Sequence, residues 1–329
     1  MSVEFLWRLP ADGDGRGSGQ AQRHRGDYAG VATLQYAFAR TGLKRDGFTY
    51  YDHLSQIARA AELTGFDGLL IPQTAAGEEP LIVAAALARE IRRLKFVPAL
   101  PAPLLSAVYT AKIATSFQRL TGGRLAIRLV TEEPGASPWH GQLWSVAEQV
   151  ARTDEFLDVV KGFWTEKGFT YAGRYYQVEN GGFGDALAGQ PLPAFYLSGE
   201  SEEELALGAK HGDVHVLALA SVETIQTRIA ELDAKAAALG RTIRYALDID
   251  LFARHSDDAA RDEARRSEAN AGLVGSYATI AERIAAYANA GVSSFVLSAN
   301  PYLEEAYRIG EQLLPQIRKH LAGVSRQVA

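Results

Sequence analysis

Residues 50–72, YYDHLSQIARAAELTGFDGLLIP, join a helical pattern to a short apolar run, and this pairing decides the fold class. Leu54 and Ile57 lie one helical turn apart, and Gly65 is a residue type that commonly ends a helix. The run at residues 68–72 has the length and apolar character of a strand that is buried on both faces. A helix that leads into a buried strand is the repeating unit of an α/β protein.

The same alternation extends along nearly the whole chain. Apolar runs typical of strands lie at residues 3–9, 68–72, 94–100, 125–130, 194–197, 214–219, 243–252 and 294–297. Helical patterns lie at residues 50–64, 80–90, 105–120, 146–164, 202–210, 222–239, 277–290 and 303–320. Because strands joined by helices pair in parallel, these units predict an α/β fold, a (β/α)8 TIM barrel, with an open doubly wound sheet as the alternative. We interpret residues 1–329 as a single domain, since no linker separates two halves.

Two irregular segments interrupt the alternation. Residues 12–47 are polar and rich in glycine, and residues 131–143 contain two prolines. Each follows a predicted strand, so in a barrel each would extend from the C-terminal face, where long loops usually bind ligands. The glycine-rich stretch lacks the Lys-Ser/Thr pair of a phosphate loop, and we interpret it as a lid. A small hairpin is predicted at residues 169–178.

Composition excludes several classes of function. The chain has no cysteine, which excludes disulfides, cysteine nucleophiles and cysteine-ligated metals. The net charge of -5 argues against nucleic acid as a partner. No apolar run is long enough to span a membrane and no signal peptide is recognisable, so we expect a cytoplasmic protein without a membrane partner. The closest histidines, His211 and His215, lack acidic ligand spacing, and no metal site is predicted.

The end of the predicted strand at residues 194–197 offers a possible anion site. Ser198 and Gly199 permit a tight turn, and Ser201 is a candidate N-cap of the next helix. Free backbone N–H groups at such a terminus bind anions, and barrel enzymes hold cofactor phosphates in this region. The alternative is ordinary helix capping, with residues 202–204 matched to the helix dipole.

Several segments carry a family resemblance: FLWRLP (residues 5–10), QIARAAE (56–62), RLTGGR (119–124), SFVLS (294–298) and PYLEEAYR (301–308). Together they resemble the bacterial-luciferase-like flavin monooxygenases, and most of all the two-component, reduced-FMN-dependent alkanesulfonate monooxygenases. The resemblance covers nearly the whole chain. It implies a luciferase-like barrel with insertion loops at the C-terminal face, which forms a homodimer or homotetramer.

The same resemblance implies an activity. It implies an oxidoreductase that oxidises a small-molecule substrate with O2 and with reduced FMN (FMNH2), which a separate NAD(P)H-dependent flavin reductase supplies. It favours Ser198, Gly199 and Ser201 as the cradle of the FMN phosphate. It also places Arg128 and Thr131 near the flavin, although Arg128 could instead pair with a helix.

Several positions depart from the family pattern. Gly77 stands where the family has a pocket cysteine, and Asp12 stands where it has a loop histidine. Asp248 and Asp250 replace an arginine and a histidine on the seventh strand. Gln149 and Val150 replace an arginine–tyrosine pair that binds the flavin phosphate. Candidate substrate-pocket residues are Trp7, Trp139 and Tyr302, with core packing as the alternative for Trp7.

Asp248 and Asp250 bear on the substrate. They are two residues apart on a predicted strand, so their side chains point to the same side. At about 5 Å and an effective dielectric near 20, each carboxylate would repel a sulfonate by on the order of 3 kcal/mol. We therefore expect an amine-bearing or neutral polar substrate rather than a simple alkanesulfonate. Asp250, Asp248 and Asp12 are the candidate catalytic residues, as substrate partners or a general base. The alternative for the pair is structural salt bridging.

Two other functions stay open beside the FMNH2-dependent monooxygenase. One is a deazaflavin (F420)-dependent oxidoreductase on the same barrel, which would transfer hydride without oxygen. The other is a catalytically silent flavin-binding or partner subunit, which the lost arginine, histidine and tyrosine residues favour.

Overall fold

A computed structural model describes residues 3–10, 49–74, 77–130, 144–184, 186–266 and 272–327, with side chains up to residue 322. The chain divides into two compact units. Unit 1 comprises Met1–Leu94, Leu217–Thr227 and Tyr245–Ala329, and unit 2 comprises Lys95–Val216 and Arg228–Arg244. The interpretation of residues 1–329 as a single domain stays a prediction.

The strands of the described residues are β1 (Glu4–Arg8), β2 (Gly68–Ile71), β3 (Lys95–Leu100), β4 (Ala126–Leu129), β5 (Phe169–Ala172), β6 (Gln177–Gly181), β7 (Ala194–Ser198), β8 (Val214–Leu217), β9 (Arg244–Arg254), β10 (Leu273–Ser276) and β11 (Val292–Ser298). The α-helices are α1 (Tyr50–Thr64), α2 (Pro80–Leu87), α3 (Ala107–Thr121), α4 (Val146–Thr165), α5 (Glu202–His211), α6 (Val222–Ala238), α7 (Asp257–Arg266), α8 (Tyr277–Asn289), α9 (Tyr302–Arg308) and α10 (Leu314–Gln327). None of these helices is long and apolar enough to cross a membrane.

Unit 1 is built around parallel strands. β11 pairs with β1 on one side and with β9 on the other, and β1 also pairs with β2. The short β10 pairs in parallel with β9. Phe5, Leu6 and Trp7 of β1 are fully buried, and Phe5 stacks on Phe295 of β11. The apolar run of β1 therefore forms the core of this unit.

Unit 2 repeats the arrangement with β3, β4, β7 and β8. β4 pairs in parallel with β3 and β7, and β7 pairs in parallel with β8. β5 and β6 form an antiparallel hairpin, which confirms the hairpin expected at residues 169–178. Phe156 of α4 and Phe195 of β7 are buried in this unit.

Helix α1 shows why the deciding stretch folds as predicted. Thr49 and Asp52 form a capping box at its start, in which each side chain bonds the other's backbone N–H. Its buried face includes Leu54 and Ile57, and Gly65 ends it with a φ of 92°, a conformation that glycine adopts without strain. The predicted bounds of this helix are confirmed.

The predicted fold class is confirmed. All eight predicted strands are present, each within three residues of its predicted ends, and the chain has the (β/α)8 barrel fold. Among the strands and α-helices given above, two were not predicted. Helix α7 is mostly charged and buries only two small residues, Ala260 and Ala264, so it lacks the large apolar residues that mark the other helices. Strand β10 has only four residues.

The last predicted helix, at residues 303–320, is interrupted. A π-helical segment, Ile309–Leu313, separates α9 from α10. Gly310 lies here against Thr64 of α1, where an added Cβ would collide with the Thr64 hydroxyl. Thr64 also donates to the Ala306 carbonyl at 3.3 Å. The bulge therefore accommodates a close contact between helices that the local sequence does not reveal.

Candidate active site

Arg8, Asp248 and Asp250 form a charged cluster in unit 1. Asp250 Oδ1 lies 3.0 Å from Arg8 Nη1, and Asp248 Oδ2 lies 3.6 Å from Arg8 Nη2. The Ser298 hydroxyl donates to Asp250 Oδ1, because the register of β11 against β9 places Ser298 beside Asp250. Arg8 and Ser298 are the last residues of β1 and β11, so the cluster lies at the carboxyl ends of these strands, where barrel enzymes carry their active sites.

The structure changes the electrostatic argument for these aspartates. The repulsion of a sulfonate was estimated for two unpaired carboxylates, and this estimate is too large. The Arg8 guanidinium pairs with both carboxylates, so the three groups together carry a net charge of about −1. The Asp250 side chain is nevertheless 53% exposed, against 24% for Asp248 and 22% for Arg8. Asp250 is thus the member of the cluster most accessible to a ligand.

The other candidate residues of unit 1 lie in different surroundings. Trp7 is fully buried and packs against Phe66 with their ring centroids 5.2 Å apart, so core packing accounts for its position. Tyr302 is half-buried and begins α9, in the segment that follows β11. Asp12 lies outside the described residues.

Farther along β9, Arg254 belongs to a second charged cluster. Its Nη1 lies 3.1 Å from Glu305 Oε1, and its Nε and Nη2 donate to Glu263 at 2.8 and 2.9 Å. Arg308 also contacts Glu305. Arg254 is 7% exposed and Glu305 1% exposed, and burial raises the pKa of the Glu305 carboxyl above its ordinary value. This cluster joins β9, α7 and α9 as a structural network around the buried pair of Arg254 and Glu305.

In unit 2, Ser198, Gly199 and Ser201 lie at the turn between β7 and α5, as predicted from the sequence. The backbone N–H groups of Glu200 and Ser201 both donate to Glu204 Oε2 at 3.1 Å. The Ser201 hydroxyl accepts in return from the Glu204 N–H at 3.2 Å. These bonds form a capping box, so the donors expected for a phosphate are already bonded to the chain's own carboxylate.

A flavin phosphate does not fit this turn as it stands. Besides Glu204, the carboxylates of Glu200, Glu202 and Glu203 lie within the turn and the first helical turn. Gln149 and Val150, which correspond to the family's arginine–tyrosine pair, are buried residues of α4 and carry no charge. We therefore derive no step that depends on a phosphate at this position.

Arg128, the other described candidate for cofactor binding, is half-buried in β4. It lies in register with Ala99 of β3 and Tyr196 of β7. Thr131 and Trp139 lie outside the described residues. Roles for these residues in cofactor or substrate binding stay predictions.

Asp154, Asp158 and His211 bring three possible metal ligands within 4.8 Å of one another, a grouping that the sequence did not suggest. Lys210 Nζ donates to Asp154 and Asp158 at 2.8 and 3.1 Å. A hydrogen bond from His211 to Asp154, at 2.8 Å, helps to hold the pKa of Asp154 at about 2. Because the Lys210 ammonium already pairs with both carboxylates, the arrangement fits an ion network that ties α5 to α4.

Sequence reasoning overlooked Arg8, and it considered Glu204 only as part of the helix-dipole alternative. Arg8 faces Asp250 across β11, and no local signal reports which strands will be neighbours. Glu204 did have a signal, since Ser201 and Glu204 are spaced as Ser-x-x-Glu, the sequence signature of a capping box.

Comparisons with known proteins agree with this fold. The family model described as "Luciferase-like monooxygenase" matches residues 29–271. The EDTA monooxygenase of Chelativorans sp. BNC1 superposes with a TM-score of 0.77 at 13% identity, over 97% of this chain and 94% of that chain. A riboflavin lyase solved with modified FMN and riboflavin gives a TM-score of 0.76 at 16% identity, over 97% and 92%.

An F420-dependent secondary alcohol dehydrogenase, solved with an F420–acetone adduct, gives a TM-score of 0.68 at 16% identity, over 82% of this chain and 96% of that chain. At such identities the structural likeness establishes the fold and no more. The family model, in contrast, matches more than half of the chain. The protein belongs to the luciferase-like monooxygenase family.

Proposed function

We propose that this protein is a flavin-dependent monooxygenase that oxidises a small amine-bearing or neutral polar substrate. It would use O2 and reduced FMN delivered by a separate NAD(P)H-dependent flavin reductase, and it would act as a homo-oligomer. The family match over residues 29–271 supports the reaction class. In enzymes of this kind the cofactor supplies the oxygen chemistry, and the protein supplies binding, orientation and exclusion of water.

The observation that carries the substrate class is the cluster of Arg8, Asp248 and Asp250. Arg8 offsets one of the two negative charges, and Asp250 remains more than half exposed. A cationic or hydrogen-bond-donating group on the substrate would pair with the exposed Asp250 carboxylate. A sulfonate would be repelled by the same carboxylate.

Asp250 is the residue best placed to contact the substrate. Its contacts with Arg8 and Ser298 are both made through Oδ1. In the part of the chain that the structure describes, Oδ2 is therefore available to accept a hydrogen bond from an ammonium or hydroxyl group, or to accept a proton. The Ser298 and Arg8 bonds would hold the carboxylate in one orientation while it does so.

A silent flavin-binding or partner subunit is the second candidate, and two observations favour it. Glu204 already bonds the N–H groups expected for a cofactor phosphate, and the residues at 149 and 150 carry no charge. An F420-dependent oxidoreductase is the third candidate, because an enzyme of that kind shares the fold.

An anaerobic titration followed by exposure to oxygen separates the three functions. The purified chain is titrated with reduced FMN or reduced F420, mixed with air-saturated buffer, and supplied with a panel of alkylamines and alkanesulfonates. The proposal predicts binding of reduced FMN and an oxygenated amine product detectable by mass spectrometry. Binding of F420 with no oxygen-dependent product would support the F420 enzyme, and no flavin binding would support the partner subunit.

The substrate class is tested by changing one carboxylate. Asp250→Asn should weaken binding of the amine substrate about tenfold or more, because the amide cannot form an ion pair. Asp258→Asn is the matched control, since Asp258 lies in the same unit on α7 with its side chain 90% exposed. The proposed substrate class is wrong if a sulfonate outcompetes the amines and Asp250→Asn leaves the affinity unchanged.

A further inference from the structure

The turn between β7 and α5 is shaped around Glu204. Gly199 adopts a φ of 128°, and a Cβ at this position would collide with the Glu204 side chain. Glycine therefore serves here to let Glu204 fold back over the turn. From that position one carboxylate oxygen accepts both the Glu200 and the Ser201 N–H bonds.

A hydrogen bond from β8 also fixes the turn. His215 of β8 is fully buried, and its Nε2 donates to the Gly199 carbonyl at 3.2 Å. Burial lowers the pKa of His215, so the imidazole is neutral at neutral pH and adds no positive charge to the turn. The backbone that presents the two N–H groups is thus fixed by a neutral side chain.

The charge around the turn is negative. Residues 200–204 include four carboxylates, and two cations of α6 reach them. Arg228 Nη1 lies 2.7 Å from Glu200 Oε1, and Lys235 Nζ lies 2.6 Å from Glu202 Oε1. Four negative charges against two positive charges leave this patch with a net charge of about −2, and both cations are already paired.

We infer that Glu204 closes this turn to phosphate, so that the protein recognises reduced flavin without its phosphate and does not prefer FMN to riboflavin. The inference rests on the proposed function in one respect, namely that the chain binds reduced flavin. A phosphate dianion would have to displace Glu204 from two N–H groups and then remain beside the other carboxylates. Glu204 is therefore a specificity-determining residue. Its negative charge repels the flavin phosphate, and its carboxylate occupies the two N–H groups that would bind that phosphate.

Anaerobic titrations of the full-length protein with reduced FMN and with reduced riboflavin test the inference. We expect the dissociation constant for reduced FMN to be equal to or higher than that for reduced riboflavin. A wild-type protein that binds reduced FMN about tenfold tighter than reduced riboflavin would overturn the inference while leaving the proposed flavin binding intact.

Two substitutions separate the charge of Glu204 from its position. Glu204→Ala frees both N–H groups and removes the charge, and it should lower the dissociation constant for reduced FMN by roughly tenfold. Glu204→Gln keeps an oxygen that can accept both bonds, so it should give a smaller decrease. Neither change should alter riboflavin binding by more than about twofold, which also reports that the site is intact.

Glu179→Gln is the matched control, because Glu179 is an exposed carboxylate of β6 in the same unit. It should leave the ratio of the two dissociation constants unchanged. The inference is wrong if Glu204→Ala shifts that ratio no more than Glu179→Gln does.

A third measurement does not depend on flavin. Inorganic phosphate should raise the melting temperature of Glu204→Ala more than that of the wild type. If the wild type binds neither flavin, the proposed function fails, and the phosphate comparison still decides whether Glu204 closes the turn. An equal response of both proteins to phosphate would contradict that closure.

Discussion

Strand β9 carries two arginine–carboxylate clusters that differ in their access to water. Near its middle, Asp248 and Asp250 pair with Arg8, and the Asp250 side chain is 53% exposed. At its end, Arg254 pairs with Glu305, and the two residues are 7% and 1% exposed. The chemical groups are the same, so the difference in behaviour must come from burial and from the number of bonds.

The buried cluster has its hydrogen bonds satisfied within the chain. Arg254 bonds Glu263 through two nitrogens and also donates to the Ala253 carbonyl at 2.7 Å, and Arg308 gives Glu305 a second cation. In the exposed cluster, Arg8 pairs with both Asp248 and Asp250. A charged pair that remains exposed to water can be reached by a ligand, whereas a buried pair such as Arg254 and Glu305 serves the fold.

The largest effect is expected from Arg254→Met. The change leaves Glu305 buried with Arg308 as its remaining cation, and we expect the free energy of unfolding to fall by about 3 kcal/mol. Urea denaturation monitored by circular dichroism measures it. Arg261→Met is the control, because Arg261 of α7 pairs with Asp258 at the surface and its removal should have no measurable effect. Equal losses in the two variants would contradict the assignment of Arg254 to a structural network.

Much of the fold could be predicted because its signals are local. The helix at residues 50–64 has apolar residues at helical spacing, a capping box and a terminal glycine, and the structure reproduces its bounds. Helix α7 could not be predicted in this way, since its charged residues surround just two buried alanines. The π-helical segment depends on the contact between Gly310 and Thr64, which only the assembled fold creates.

The candidate site was harder to predict from the sequence, because it depends on contacts between residues that are far apart in the chain. The spacing of Asp248 and Asp250 indicated that they share a face of β9. Their cation, Arg8, lies on β1, and it comes near them because β11 pairs with both β1 and β9. The turn at Ser198–Ser201 was located correctly, yet the same N–H groups serve a phosphate site and a capping box. Side-chain geometry at Glu204 distinguishes the two, and the N-cap spacing alone did not.

A pH titration of Glu305→Gln sharpens the comparison, with a smaller expected effect. Burial raises the pKa of Glu305 in the folded state above its ordinary value of 4.5. The stability that this residue contributes is therefore fully present below its unfolded pKa and is lost as the pH rises through the higher folded pKa. The free energy of unfolding of the wild type, minus that of Glu305→Gln, should decrease as the pH rises above 4.5. An increase over this range would mean that Arg254 and Arg308 outweigh the burial of the carboxyl.

Arg8→Met should have the smallest effect on stability and a distinct effect on binding. All three side chains of its cluster are partly exposed, so water screens the loss of the cation, and we expect the free energy of unfolding to fall by about 1 kcal/mol or less. The net charge of the cluster changes from about −1 to about −2, which should strengthen binding of an alkylamine several-fold and weaken binding of an alkanesulfonate. Arg8→Lys keeps the charge and should preserve the wild-type order of affinities. If Arg8→Met destabilises the protein as much as Arg254→Met and leaves both affinities unchanged, the two clusters of β9 are equally structural, and the substrate must be recognised elsewhere.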